Sequence, residues 1–348
     1  SMKKLYVIAL VCVCWTALAI SCKKTNSLVV ADEGFKFVTP ANFPAPSYKF
    51  INNAVTQSGF ELGKRLFFDR ALSVNNSISC ASCHQPEAAF ANRNRAVSIG
   101  ILGCVGTRNA FPIFNIAWQT DFMWDGSITD IERSALIALT SSCEMGNTVD
   151  KALVTLRGIP VYPELFRNAF GTSEITEDRF FKALTQFTSM MISSNSKYDK
   201  FVRGENGGTL TADEMAGYNL FFDRCSSCHT EPLFTDHSFR NNGLDLISAD
   251  AGREVVTKNA ADRGKFRIPT LRNIEVTGPY MHDGRFNNLQ EVLDFYSNGV
   301  RDHVNLDPQL KKNAVPGLTL NRNQKDQIIA FLRTLTDNTF LNDTHFRP

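Results

Sequence analysis

Two pentapeptides in this chain carry side chains spaced for covalent chemistry: Cys80-Ala81-Ser82-Cys83-His84 and Cys225-Ser226-Ser227-Cys228-His229. Two thiols two residues apart can each bond one vinyl group of a porphyrin. The adjacent His then supplies a nitrogen to the iron, which makes Cys-x-x-Cys-His the attachment signal of a c-type haem. A Cys-x-x-Cys can also hold zinc or cycle as a dithiol. A His directly after both pairs, and an export-type start to the chain, favour haem. Two copies therefore imply two covalently bound c-type haems. Cys80, Cys83, Cys225 and Cys228 are the attachment points, and His84 and His229 are the proximal iron ligands.

Each motif follows a similar phrase, Gly63-Lys64-Arg65-Leu66-Phe67-Phe68-Asp69-Arg70 in the first copy and Gly217-Tyr218-Asn219-Leu220-Phe221-Phe222-Asp223-Arg224 in the second. An internal repeat of this kind suggests two related domains. Apolar spacing predicts helices over 58–72, 128–139, 151–156, 162–170, 177–192, 289–296 and 323–335. Thr211 and Glu214 form a capping box that opens a further helix leading into the second motif. The stretches 85–115 and 230–283 lack helical period, and long irregular stretches in a compact domain are usually functional. The expected fold is mainly α, with two cytochrome c-like haem domains, long haem-wrapping loops and little strand. The expected division is a signal peptide at 1–21, a tether at 22–46, an N-terminal haem domain at 47–205 and a C-terminal haem domain at 206–348.

The 348 residues, 43% apolar and 21% charged, suit two globular domains. A formal charge of +2 implies no nucleic-acid partner. Lys3 and Lys4 precede an apolar run from Leu5 to Ile20, too short to span a membrane and right for a signal sequence. Ala19-Ile20-Ser21-Cys22 looks like a loose lipobox, so the expected location is the periplasm or cell envelope, with a lipid anchor at Cys22 as the only membrane contact. Of the nine cysteines, Cys12 and Cys14 leave with the signal, Cys22 is the anchor and four hold haem. Cys104 and Cys143 remain, either as a disulfide or as two buried thiols.

The chain from about residue 47 to 336 resembles the bacterial di-haem cytochrome c peroxidase family, which includes the MauG-like enzymes. The resemblance rests on Leu62-Gly63-Lys64-Arg65-Leu66-Phe67, Thr107-Arg108-Asn109, Trp124-Asp125-Gly126 and Glu144-Met145. It continues through Leu271-Arg272-Asn273 and Pro279-Tyr280-Met281-His282-Asp283-Gly284, with both haem motifs. It implies that hydrogen peroxide reacts at the N-terminal haem and that the C-terminal haem relays electrons. Many members place a distal His after a Ser-Ile-Gly phrase. Here Ser98-Ile99-Gly100 is followed by Ile101, which cannot bind iron, so the first haem is expected to be five-coordinate. Glu144 matches the glutamate that moves the proton in peroxide cleavage. Ser134 and Ala138 stand where the family often has Gln and Pro.

The same resemblance places the sixth ligand of the second haem 14 residues after His282, at Tyr296. Met281 is the rival ligand, and His282 is expected to bond a propionate. Trp124 matches the tryptophan between the haems. Asn109, with the carbonyls of Thr277 and Pro279, matches a calcium site, in keeping with the oxygen preference of that ion. The implied donor is a small redox protein, a cytochrome c or a cupredoxin, and the family often forms homodimers. Three functions compete: a peroxidase served by such a donor, a MauG-like oxidase acting on a partner protein, and a non-catalytic electron carrier. Ile101 and Tyr296 lean towards the second. The absence of a distal ligand at the first haem argues against the third.

Overall fold

Apolar residues at helical spacing build the scaffold that carries the two motifs within residues 35–312 and 314–348, the part described by the computed structural model. The helices are α1 (Gln57–Phe68), α2 (Leu136–Thr140), α3 (Val149–Gly158), α4 (Val161–Phe170), α5 (Glu177–Ser189) and α6 (Lys197–Arg203). They continue with α7 (Ala212–Arg224), α8 (Glu254–Thr257), α9 (Leu289–Asp294), α10 (Arg322–Arg333) and α11 (Asn338–Leu341). The only named strands among the described residues, β1 (Phe239–Arg240) and β2 (Phe266–Arg267), form one antiparallel pair. The fold is mainly α, as expected. The expected signal peptide, Cys22 and the tether up to residue 34 lie outside the described residues.

The repeated phrase marks two helix crossings. α1 packs on α5, and a Cβ at Gly63 would sit 2.0 Å from the Ala183 carbonyl oxygen. α7 packs on α10, and a Cβ at Gly217 would sit 1.9 Å from the Gln327 carbonyl oxygen. Only glycine allows either approach. Each crossing organises an apolar cluster. The first holds Phe60, Leu66, Phe67, Phe180, Leu184 and Phe187, and the second holds Tyr198, Phe221, Phe234, Ile328 and Phe331. Phe340 and Phe346, from the end of the chain, return to the first cluster. All described residues belong to one compact unit.

Three expectations change. The helix expected to reach Leu72 stops at Phe68, because Asp69 caps a separate 3-10 turn, Arg70–Leu72, by accepting from Ala71 N at 2.8 Å. The helix expected over 128–139 is broken into the 3-10 turn Ile131–Arg133 and the short α2. Ile128 is instead taken by an antiparallel bridge to Phe122. The described part of the expected tether, residues 35–46, lies against the body. Phe43 is buried against Trp118, Phe35 packs on Phe60, and the Trp118 indole donates to the Pro44 carbonyl at 2.7 Å. Three phenylalanines in that stretch offer apolar area that a free tether would leave in water.

Candidate functional site

Both pentapeptides fold into the same turn. The His84 amide donates to the Cys80 carbonyl at 3.0 Å, and the His229 amide donates to the Cys225 carbonyl at 3.0 Å. Each imidazole then uses Nδ1–H on a carbonyl of the following loop, Phe90 at 2.8 Å and Phe234 at 3.1 Å. Phe90 and Phe234 both have positive φ, +60° and +55°, which turns those carbonyls back towards the ring. A carbonyl can only accept, so Nδ1 carries the proton and Nε2 keeps its lone pair, the state an iron ligand needs. Burial also pulls the pKa of both imidazoles down, favouring the neutral form.

The four motif cysteines are unpaired, while Cys104 and Cys143 form a disulfide with Cα atoms 5.2 Å apart. Burial pushes the Cys80 and Cys225 thiols up to about 12. Two further buried groups suit the propionates of a haem. Neither ring nitrogen of His237 has a hydrogen-bond partner among the described residues. The Arg267 guanidinium is 4% exposed, forms no ion pair among the described residues, and is pulled down to about 10 by burial. Its one hydrogen bond among the described residues is from Nε to the Met123 carbonyl, at 3.3 Å. A buried cation without a counter-charge is costly, and a carboxylate arriving with a cofactor removes that cost. These residues, with the four thiols and two aimed imidazoles, fit two c-type haems.

Around the first motif, Cys83 lies beside Ser98 and Ile99 and within electrostatic reach of Glu144. The Glu144 carboxyl is half-buried and has no hydrogen-bond partner among the described residues, and burial alone raises its pKa. Its carbonyl accepts from the Ile101 amide at 2.9 Å, and Ile101 is buried. The structure therefore brings Glu144, Ile101 and the first haem motif together. Ala138 is joined to the same segment through its carbonyl, which accepts from Met145 N at 3.1 Å.

Tyr296 lies near the second motif, and Met281 packs on the same apolar cluster as Tyr296. Tyr296 is within electrostatic reach of Cys225 and Cys228, and burial pushes its phenol up to about 12. Asn242 reaches both rivals, bonding Tyr296 and donating from Nδ2 to the Met281 sulfur at 3.5 Å. The helix expected to end at Tyr296 passes at Phe295–Gly299 into a π-turn, a feature frequent at functional sites. His282 stacks flat on Phe266, with ring centroids 3.7 Å apart, in a small pocket shared with Asn241, Asn242 and Asp250.

Trp124 links the two surroundings. Its indole donates to the Asn109 carbonyl at 2.8 Å, and its ring meets Phe111 edge-on at 5.9 Å. Phe111 in turn lies 6.4 Å from the His84 ring. On the other side the Trp124 carbonyl accepts from Arg267 N, in β2, at 2.8 Å. Arg108 holds the turn by bonding Asp125 and Asp250, both at 2.7 Å. Asn109 donates to the Ala96 carbonyl at 2.9 Å, and its amide donates to the His282 carbonyl at 2.7 Å. Thr277 donates its hydroxyl to the Ile274 carbonyl. Among the described residues no cluster of three or more His, Cys, Asp or Glu is placed to hold a metal ion.

Sequence reasoning missed His237 and Arg267, which nothing in their local pattern marks. Arg272, within the Leu271-Arg272-Asn273 phrase, forms a fully buried ion pair with Asp199 at 2.7 Å that its local sequence does not signal.

The profile of the di-haem cytochrome c peroxidase family matches residues 57–207. The chain is 34% identical over 306 residues to the methylamine utilization protein MauG of Methylorubrum extorquens, covering 86% of this chain and 83% of the relative. It is 35% identical over 281 residues to the cytochrome c551 peroxidase of Nitrosomonas europaea, covering 79% of each. A solved MauG-like protein associated with microbial copper homeostasis superposes with a TM-score of 0.82 at 31% identity, over 90% of this chain and 98% of the other.

Proposed function

The chain belongs to the di-haem cytochrome c peroxidase family, and from that premise we propose that it reduces hydrogen peroxide at the His84 site with electrons relayed from the His229 site. It is an oxidoreductase with two c-type haems, which when bound supply the redox chemistry of cleaving the peroxide bond. The residues supply aim and protons. The carbonyls of Phe90 and Phe234 fix the two imidazoles. Ile101 offers no ligating atom, which leaves room for peroxide. Glu144 takes the proton from one peroxide oxygen and returns it to the departing one. Trp124 and Phe111 lie on the electron path, and Tyr296 is the second-site ligand in preference to Met281.

One observation carries this reading: a desolvated, unpartnered carboxyl, Glu144, beside the first haem motif. General acid–base catalysis is worth roughly 10²–10⁴-fold. Stopped-flow mixing of the holoprotein with peroxide should therefore show Glu144→Gln slowed by about that factor, with both haems retained. An unchanged rate would overturn the assignment.

Tyr296 beside the second motif favours a second reading, a MauG-like oxidase whose electrons come from a residue of a partner protein. Rapid turnover with a small cytochrome or cupredoxin would reject it. The electron-carrier reading does not suit a family of peroxidases. Calcium belongs to the proposal too: Asn109 Oδ1 and the carbonyl oxygens of Thr277 and Pro279 accept no hydrogen bond among the described residues. Removal by EGTA should lower activity, and calcium should restore it. The Cys104–Cys143 bridge supports an oxidising compartment such as the periplasm.

A further inference from the structure

We propose that the Cys104–Cys143 disulfide is a positioning device for Glu144. This rests on the acid–base reading of Glu144 and goes beyond it, by assigning what holds that carboxyl in place. The Glu144 side chain makes no hydrogen bond among the described residues, so the placement of its backbone decides where the carboxyl sits. That backbone is tied on several sides. Glu144 N donates to the Ser141 carbonyl at 3.0 Å, Met145 N to the Ala138 carbonyl at 3.1 Å, and Val74 N to the Met145 carbonyl at 3.0 Å. The remaining tie is the hairpin 98–106. Ile101 N donates to the Glu144 carbonyl at 2.9 Å, and the disulfide joins Cys104 to Cys143, the residue before Glu144.

The hairpin is well formed within itself. Gly100 N donates to the Cys104 carbonyl at 2.8 Å, Gly106 N donates to the Ser98 carbonyl at 2.8 Å, and Ile99 bridges to Val105. Little apolar burial holds it to the body. Leu102 is 92% exposed and Val105 62%, and Ile101 supplies the buried apolar side chain of the hairpin. The covalent bond supplies the attachment that burial does not. The contact is also tight: a Cβ on Gly100 would lie 2.0 Å from the Cys143 carbonyl oxygen, so no larger residue fits there. Ser98 and Ile99 of the same hairpin touch Cys83. One clamp thus sets Ile101, Glu144 and the surroundings of Cys83 relative to each other.

The test is a double-mutant cycle on holoprotein, with Cys104→Ala/Cys143→Ala as one arm and Glu144→Gln as the other. Residues that act through each other give non-additive effects. The expected result is that Glu144→Gln slows the peroxide reaction at least about ten-fold less in the bridge-free protein than in the parent, because the carboxyl there is already misplaced. Hydrogen exchange at the amides of Ile101 and Met145, which does not depend on turnover, should quicken on the order of ten-fold without the bridge. A full Glu144→Gln effect and unchanged exchange in the bridge-free protein would overturn the proposal alone. No Glu144→Gln effect in the parent would overturn the acid–base reading, and the proposal with it. If the bridge-free variant does not accumulate, the parent is reduced with a phosphine, alkylated and desalted, and the same two readouts are taken.

Discussion

Substitution of Arg272 by Met is predicted to weaken both the fold and the second site. Arg272 and Asp199 are both fully buried, joined through Nη2–Oδ1 at 2.7 Å and Nη1–Oδ2 at 2.9 Å. Arg272 also donates from Nε to the Pro232 carbonyl at 2.8 Å, and its guanidinium lies 4.6 Å from the Phe43 ring centroid and 5.7 Å from that of Phe234. Removing one partner of a buried pair costs about 3–5 kcal/mol, because the other charge stays buried without its counter-charge. Unfolding entropy runs near 2.1 cal/mol/K per residue, or roughly 0.7 kcal/mol/K for a chain of this length, so Tm should fall by about 4–7 °C. The double variant Arg272→Met/Asp199→Leu should recover much of that loss, since an apolar pair carries no stranded charge.

The same change reaches the second haem site, because Arg272 braces Pro232 and Phe234 and the Phe234 carbonyl orients His229. The low-spin EPR signal of the second site should therefore shift in Arg272→Met while the haem content stays at two. Burial alone would raise the Asp199 pKa, but the Arg272 guanidinium and the Ser196 bonds hold it below the usual carboxylate range. A depressed folded pKa means the pair contributes fully above the unfolded value near 4 and fades as pH falls below it. Parent and variant melts should therefore converge only under strong acid. A Tm loss under about 1 °C at neutral pH, with an unchanged EPR signal, would refute this reasoning.

Three other outcomes follow. Burial raises the Glu144 pKa, so the peroxide rate should fall as pH drops through a value above the ordinary carboxylate range; that limb of the pH–rate profile should vanish in Glu144→Gln. Cys104→Ala/Cys143→Ala, which opens a loop spanning a sequence separation of 39, should cost up to about 4 kcal/mol, read as a thermal shift of roughly 5 °C. Cys225→Ser/Cys228→Ser should halve the haem count by pyridine haemochrome assay and leave the high-spin signal of the first site in place.

The parts that could be read from sequence were those with a local signature. The Cys-x-x-Cys-His turns need only adjacent residues, and the Thr211–Glu214 capping box forms as its spacing demands, at 3.3 and 2.6 Å. The Gly63 and Gly217 phrases could be seen as a repeat, although their reason, two helix crossings, is visible only in three dimensions. Contacts between distant residues left no local mark. The Cys104–Cys143 pairing depends on a hairpin folding onto a segment 39 residues later. Phe340 and Phe346 come back to the first core, and Phe43 packs against Trp118. His237 and Arg267 look like ordinary polar residues until their burial without partners is seen. Periodicity misled at 128–139, where a local antiparallel bridge from Ile128 to Phe122 took precedence over a helical pattern.

The central claim is an open site at His84 and a Tyr296-ligated site at His229. Low-temperature EPR of the resting ferric holoprotein, repeated on Tyr296→Phe, tests it most directly. The account predicts one high-spin and one low-spin signal in the parent, with only the low-spin signal altered by the substitution. Two low-spin signals in the parent would contradict the open first site. A low-spin signal that survives Tyr296→Phe unchanged would pass the second iron to Met281.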